Sequence, residues 1–193
     1  MPDLLAVSGL ERTSMPFRRR LLEVAAERGL DADALAAVMS LETGGLFQPG
    51  LYPSSGSVGL IQFTSVSAKA IGRTLTGLAA LTAVAQLTEV GRYFDYVERA
   101  FGKDVESLDD HGLAVFAPAF VGDPTSPAAL AYEAPGGVTV AKYLGILHGI
   151  YAEAQARPRL PVDEVHVASG GLLLPLTAAV IAAFGLRRIR RRA

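Results

Sequence analysis

Residues 42–64 read ETGGLFQPGLYPSSGSVGLIQFT, and this stretch decides how the rest of the chain is interpreted. Glu42 follows apolar residues at helical spacing, and the pair of glycines two positions behind it is typical of a helix end. Proline, glycine and serine then fill the segment up to Gly59, which predicts a loop with room for a small hairpin. A short apolar run, GLIQF, closes the stretch before Thr64, a residue able to cap a further helix.

On both sides of this stretch, apolar residues recur every three or four positions, which predicts helices. Before it, the pattern predicts one helix from about Pro16 to Arg28 and a second from Asp31 or Asp33 to about residue 43. After it, helices are predicted at 64–72, 82–101, 107–116 and 139–156, with a connection or helical turn at 76–82 and a loop at 122–137. The sequence therefore predicts a compact, mainly α domain.

Composition and charge exclude several classes of protein. Of the 193 residues, 50% are hydrophobic and 19% are charged, enough apolar residues to form one buried core. The chain has no cysteine, which excludes a disulfide scaffold, a thiolate zinc site and a cysteine nucleophile. Five arginines lie in 187–193, so the remaining residues hold 13 basic and 19 acidic side chains, a balance of −6. This body lacks the basic face of a nucleic-acid-binding protein, and no nucleic-acid partner is expected.

The C-terminal part of the sequence differs from the rest. We predict a domain over 1–156, followed by a linker at 157–168 with prolines and mixed charge. The stretch SGGLLLPLTAAVIAAFGL at 169–186 contains no ionisable residue, and its 18 residues are close to the minimum for a bilayer span. The arginines behind it indicate a cytoplasmic or internal flank, so 169–193 is predicted to be a C-terminal membrane anchor. The alternative is an apolar helix that packs on the domain or on a partner protein.

Glu42 is the strongest candidate for a catalytic residue. A carboxyl group at the C-terminal end of a helix lies at the negative end of the helix dipole. Partial burial among Leu41, Leu46 and Phe47 would add a desolvation penalty, and both effects raise the pKa of a carboxyl group. A carboxylic acid that stays protonated near neutral pH is what general-acid cleavage of a glycosidic bond requires. From helix position alone, the alternative is an exposed glutamate at a frayed helix end.

The order of these motifs resembles the goose-type lysozymes and soluble lytic transglycosylases of the lysozyme-like superfamily, above all the versions carried by bacteriophages. The matching residues are Glu42-Thr43-Gly44, Ser57, Gly59-Leu60-Ile61-Gln62-Phe63 and Thr64, and then Leu81-Thr82, Gln86-Leu87, Val90 and Tyr93-Phe94. The similarity covers about 17–155 and implies a lysozyme-like α+β fold that is mainly helical. The sequence departs from the family at 114–120, where neither the Tyr nor the Asn that border the active site of related enzymes is present.

The resemblance implies a role for each matching residue. Glu42 would protonate the glycosidic oxygen and later act as a base. Gln62 would hydrogen-bond the sugar, although an amide bonded to the loop backbone is the alternative. Ser57 and Gly59 would shape the floor of the cleft, and Tyr93 would line it. On the helical pattern the residue after Tyr93 faces the core, which leaves Tyr93 nearer the surface or the groove.

The number of carboxylates bears on the mechanism. No Asp or Glu occurs at 43–88, and a single acid/base fits a lytic transglycosylase, in which the 6-hydroxyl of the sugar closes a 1,6-anhydro ring. Glu89 and Asp95 are predicted to be surface charges on the long helix. If folding brings either of them to Glu42, hydrolysis by a lysozyme stays open, because hydrolases use a second carboxylate.

These observations predict a lytic transglycosylase that cleaves the MurNAc–GlcNAc bond of peptidoglycan without cofactor or metal. His111, His148 and His166 lack ligand spacing and are expected on the surface or in packing. Its partners would be glycan strands, a membrane contacted through 169–193, and virion or tail proteins, at a virion or the bacterial envelope. The alternatives are a non-catalytic structural or wall-binding component of a phage-like particle, and a membrane-active tail protein with the body as its carrier.

Overall fold

The computed structural model describes residues 3–50 and 56–162, and over these residues the protein is mainly helical, as predicted. The α-helices are α1 Met15–Arg28, α2 Ala32–Thr43, α3 Ser65–Ala70, α4 Leu75–Ala79, α5 Ala83–Phe101, α6 Leu108–Phe116, α7 Pro127–Ala131 and α8 Val140–Gln155. Single 3-10 turns lie at Leu10–Arg12 and Pro118–Phe120. The strands β1 Glu133–Ala134 and β2 Val138–Thr139 pair antiparallel, with Glu133 opposite Thr139.

Each of these α-helices begins at a Ser, Thr or Asp side chain that accepts a backbone N–H of the first turn. The caps of α1 and α2 are Ser14 and Asp31, and α8 begins behind Thr139. Reciprocal capping boxes start α3 at Thr64 and α6 at Ser107. Because one such cap contributes about 1 kcal/mol, the positions where helices begin are encoded locally in the sequence.

Helix α2 forms the centre of the core because almost all of its side chains are apolar or small. All residues from Ala34 to Ser40 are buried. Helices α6 and α8 pack on α2, while α1 packs on both α2 and α5. A helix that is apolar all round is stable only when neighbours enclose it, so most of α2 lies in the interior, while Leu41 and Glu42 near its end are half-buried.

His111 in α6 is a packing residue, as one of the two sequence interpretations predicted. It is fully buried, and its Nε2 atom accepts the backbone N–H of Asp31 at 3.2 Å. Its Nδ1 atom therefore carries the proton and donates to the carbonyl oxygen of Ser107 at 2.7 Å. Burial lowers the pKa of His111, which favours this neutral form. The imidazole thus ties α6 to the beginning of α2.

The first residues of the predicted linker pack on the N-terminal segment. Leu160 and Leu4 exchange both backbone hydrogen bonds, at 2.7 and 3.0 Å. The guanidinium of Arg159 donates to the carbonyl oxygen of Asp3 and to the Asp33 carboxylate. Val162 is fully buried. Residues up to 162 therefore belong to the domain, and only the part of the predicted linker beyond them lies outside the described residues.

Two other segments hold more regular structure than the sequence predicted. Helix α4 occupies most of the segment predicted as a connection or helical turn, and the loop predicted at 122–137 contains α7, β1 and the turn to β2. Among the described residues, no helix has both the length and the apolar character needed to cross a membrane. The predicted anchor at 169–193 lies outside those residues.

Truncation tests where the domain ends. We expect the chain shortened after Ala156 to unfold at lower denaturant concentration than the chain shortened after Val162, because it loses the Leu4–Leu160 pairing and a buried valine. Burial of that valine alone contributes about 2 kcal/mol. Equilibrium urea denaturation of the two truncated proteins and the full chain measures the difference. Equal stability of the two truncated proteins would place the boundary at 156 after all.

Candidate active site

Glu42 lies in the last turn of α2, and the residue behind it fixes how the chain leaves the helix. The hydroxyl of Thr43 donates to the carbonyl oxygen of Met39 at 2.7 Å and accepts the backbone N–H of Phe47 at 3.1 Å. Phe47 is buried against Phe17, with ring centroids 5.8 Å apart. The threonine and the buried phenylalanine therefore hold the loop after Glu42 in one conformation.

Tyr143 of α8 is the hydrogen-bond partner of Glu42. Its hydroxyl donates to Oε1 of Glu42 at 2.7 Å. Its ring stacks on Phe116, with centroids 4.4 Å apart and planes at 12°. Burial raises the pKa of Tyr143 well above its usual value, and the charge of Glu42 adds to this shift, so the phenol stays protonated and remains a donor.

Gly112 of α6 allows Tyr143 to reach this position. A Cβ atom at Gly112 would lie 2.6 Å from Cδ2 of Leu147 and 3.2 Å from Cε1 of Tyr143. These distances are shorter than ordinary van der Waals contact, so the absence of a side chain lets α8 approach α6 closely. The glycine thus contributes to the geometry around Glu42 without touching it.

Burial raises the pKa of Glu42 to about 7, although the hydrogen bond from Tyr143 acts in the opposite direction. The carboxyl group loses hydration in its enclosed position, which disfavours its charged form. The donor on Oε1 stabilises the carboxylate, but this gain is smaller than the desolvation penalty. Glu42 is therefore an acid that can give up or take up a proton near neutral pH.

The apolar run after the loop forms a tight turn. Val58 and Phe63 exchange both backbone hydrogen bonds, at 2.8 and 2.9 Å, in a single bridge that lies after the loop in which the hairpin was predicted. Gln62 has a φ of 51°, and Phe47 has a φ of 50°; no other non-glycine residue in the described ranges has a positive φ. Both lie in the stretch 42–64, and backbone strain of this kind clusters at functional sites.

The side chain of Gln62 is bonded within the turn. Its Nε2 atom donates to the carbonyl oxygen of Gly59 at 2.9 Å, and its Oε1 atom accepts the hydroxyl of Ser57 at 2.7 Å. The structure therefore shows the alternative interpretation of Gln62, in which its amide is bonded to the loop backbone. Ser57 and Gly59 lie beside Gln62 as expected, and their bonds fix the orientation of its amide.

Gln86 of α5 fixes this turn through hydrogen bonds of its side-chain amide. Its fully buried amide accepts the backbone N–H of Leu60 at 2.7 Å and donates to the carbonyl oxygens of Pro49 and Leu78 at 3.1 and 2.9 Å. Gly59 has a φ of 84°, and a Cβ atom there would lie 2.3 Å from Oε1 of Gln86. The glycine is therefore required both by its backbone conformation and by the close approach of Gln86.

Of the two positions left open for Tyr93, the structure shows the groove and not the surface. Its side chain is only 6% exposed, and its hydroxyl donates to the carbonyl oxygen of Ala114 at 2.9 Å. Burial raises its pKa to about 12, and the charges of Tyr96 and Glu42 add to the shift. The reason is that α6 and Phe63 cover Tyr93, which a pattern within one helix does not show. What remains exposed of the ring still lines a groove, as predicted.

The two acidic residues of α5 that the sequence analysis considered, Glu89 and Asp95, have different environments. Glu89 was predicted on the surface, but it is buried, and it accepts two hydrogen bonds from Arg73, at 2.9 and 3.0 Å, and further ones from Arg92 at 3.3 Å. Arg73 holds the pKa of Glu89 below its usual value. Asp95 pairs with Arg28 at 3.3 Å. Both carboxylates are thus engaged by arginines.

A groove with a volume of about 280 Å³ lies between the turn, α3, the second half of α5 and the end of α6. Its lining includes Gln62, Tyr93 and Phe116. Phe116 stacks on Tyr143, which binds Glu42. Neither Glu42 nor Tyr143 is part of the lining, so the groove is connected to Glu42 through the ring of Phe116.

The structure brings most of the predicted site residues to this region. Gln62, Ser57 and Gly59 form the turn, and Tyr93 and Glu42 lie close enough for the charge of Glu42 to raise the pKa of Tyr93. Tyr143 was missed by the sequence analysis. The available signal was a tyrosine on the apolar stripe of α8, where a buried hydroxyl needs a partner.

Comparisons of the chain with protein-family models, with curated proteins and with solved structures find no match.

The stability of the protein should report the ionisation of Glu42. Below pH 4.5 the carboxyl group is neutral in the folded and the unfolded chain; between 4.5 and about 7 only the unfolded chain ionises, so stability falls as the pH rises. We expect Glu42→Gln, whose amide oxygen still accepts from Tyr143, to remove this loss. The variant should exceed the wild type by up to about 3 kcal/mol at about pH 8 and match it at about pH 4.

Urea denaturation across this pH range measures the effect. Glu106→Gln, a change at an exposed position before α6 that forms no ion pair with the described residues, is the matched control and should leave the difference in stability between about pH 4 and 8 as it is in the wild type. A wild type whose stability does not fall between pH 5 and about 7 relative to Glu42→Gln would contradict the raised pKa.

Proposed function

We propose that this protein is a lytic transglycosylase of lysozyme-like fold that cleaves the MurNAc–GlcNAc bond of peptidoglycan with Glu42 as its acid/base. The observation that carries the proposal is the environment of Glu42, with a pKa of about 7 and a bond to Tyr143, next to a groove lined by Gln62. The sequence resemblance over 42–64 and 81–94 supports the same assignment.

The hydrogen bond from Tyr143 determines which oxygen of Glu42 does the chemistry. Because Oε1 accepts the hydrogen bond from the phenol of Tyr143, the acidic proton of Glu42 is placed on Oε2. Oε2 gives this proton to the glycosidic oxygen as the bond to the anomeric carbon breaks. The resulting carboxylate then takes the proton of the sugar's own 6-hydroxyl, whose oxygen bonds to the anomeric carbon and closes the 1,6-anhydro ring. Glu42 ends the cycle protonated.

The engagement of Glu89 and Asp95 by arginines favours the transglycosylase over a retaining hydrolase. Burial and the hydrogen bond from Tyr143 account for the shifted pKa of Glu42. A retaining hydrolase holds its two carboxyl groups about 5 Å apart, a distance at which each shifts the pKa of the other. Glu89 and Asp95 are bound to arginines instead.

The products of digestion test the reaction. We expect the full-length protein to release muropeptides with 1,6-anhydro ends, lighter by one water than reducing ends, when it is incubated with purified peptidoglycan. Glu42→Gln should release none while keeping its helical circular dichroism spectrum. Mass spectrometry distinguishes the outcomes: reducing ends would indicate a lysozyme, and wall binding without any released muropeptide would indicate a non-catalytic component.

The pH profile tests the contribution of Tyr143. The phenol lowers the pKa of Glu42, so Tyr143→Phe should let that pKa rise further. Since cleavage needs the protonated acid, the fall of kcat/KM on the alkaline side should move to higher pH in the variant. Tyr151→Phe, on the same helix, serves as the control and should leave the profile in place. A profile of Tyr143→Phe identical to that of the wild type would remove Tyr143 from the mechanism.

We also propose that this activity belongs to a virion or to the bacterial envelope. The supporting feature is the uncharged stretch 169–186 followed by five arginines, a pattern typical of a membrane anchor. In this arrangement the tail would hold the domain close to its polymeric substrate.

A further inference from the structure

The groove next to Glu42 extends beyond the residues assigned to the reaction. Along α5 it is lined by Tyr93, Tyr96 and Phe101. The charge of Glu42 acts on Tyr93, which marks that end of the groove as the one near the acid. At 1.5 Å per residue, the distance along α5 from Tyr93 to Phe101 is about 12 Å. The groove therefore leads from the neighbourhood of Glu42 to the C-terminal end of α5.

The outer end of the groove carries large apolar side chains that face solvent. Phe101 is 38% exposed, and Val66 of α3 is 77% exposed, and both line the groove. We call these two residues the Val66–Phe101 rim. Single exposed apolar residues are common, and these two bear on ligand binding because both line one groove, where a bound ligand would cover them.

The lining of the groove combines two kinds of side chain. Gln62, Thr64 and Ser67 offer amide and hydroxyl groups. Tyr96, Phe101 and Phe116 offer aromatic rings. A ligand that fits such a lining has one apolar face and polar edges. A pyranose ring has this character, because its C–H bonds point to its faces and its hydroxyl and amide substituents lie at its edges.

We infer that the Val66–Phe101 rim binds the face of a pyranose ring of the glycan strand, remote from the bond that Glu42 cleaves. This inference rests on the proposed function and adds to it a preference for long strands. A ring on Phe101 contributes binding energy away from the reacting atoms, and such energy helps to hold the scissile bond in position. Strands too short to reach the rim lose this contribution.

Binding to strands of graded length tests the inference. The full-length Glu42→Gln protein is used so that the glycan stays intact, and peptide-free glycan strands released from peptidoglycan are separated by length and titrated by calorimetry. In this background we expect Phe101→Ala to bind long strands about fivefold more weakly, the effect of losing one aromatic contact. The shortest strands that bind should show no change, and Phe101→Trp should retain the affinity for long strands.

Two further variants keep the result interpretable. Val66→Asp changes a residue that is 77% exposed, so the fold is retained, and it should also weaken binding of long strands. Leu130→Ala is the matched control, since Leu130 is an exposed apolar residue of α7 outside the groove lining, and it should change nothing. Unchanged affinity for long strands in both Phe101→Ala and Val66→Asp would overturn the inference while leaving the proposed reaction intact. If the Glu42→Gln protein binds no strand of any length, the inference and the proposed function both fail.

Discussion

The buried amide of Gln86 is the constraint on which the geometry of the site depends. It is fully buried in α5, and its bonds to Leu60, Pro49 and Leu78 join three segments far apart in the chain. An amide left unbonded in the interior costs on the order of 2 kcal/mol per group, so these partners are held firmly. Through this one side chain, α5 fixes the position of the turn that carries Gln62. The requirement for glycine at position 59 follows from the same contact.

A second requirement is that a carboxyl group be kept in an enclosed position. The apolar helix α2 must be surrounded by other helices, and this burial extends to Thr43 in its last turn, beside the half-buried Glu42. Desolvation of the carboxyl group outweighs the stabilising bond from Tyr143, and the pKa settles at about 7. The same environment lowers the stability of the protein as the pH rises from 4.5 to about 7, and it leaves Glu42 able to exchange a proton near neutrality.

Residues 114–120 lack the tyrosine and the asparagine of the enzymes that the sequence resembles, and the structure shows what occupies this region. Phe116 stacks on Tyr143, and Tyr143 supplies the hydroxyl next to Glu42 from another helix. Tyr93 also bonds to this region through the carbonyl oxygen of Ala114. In the proposed enzyme, the polar groups on this side of Glu42 therefore come from α5 and α8, while α6 contributes an aromatic platform and a backbone carbonyl.

The sequence by itself determined the helices and the candidate acid, because these depend on local signals. Caps at Ser14, Asp31 and Thr139 begin helices where the pattern predicts them, and Glu42 is recognisable from the glycines behind it and the motif that follows. Only the tertiary structure decided the burial of Tyr93 and Glu89, the partnership of Tyr143 with Glu42, and the return of Leu160 to Leu4. The partners in these contacts are up to 156 residues apart in sequence, as for Leu4 and Leu160. Periodicity within one helix shows which face is apolar, but the neighbour that covers that face is set by how the helices pack.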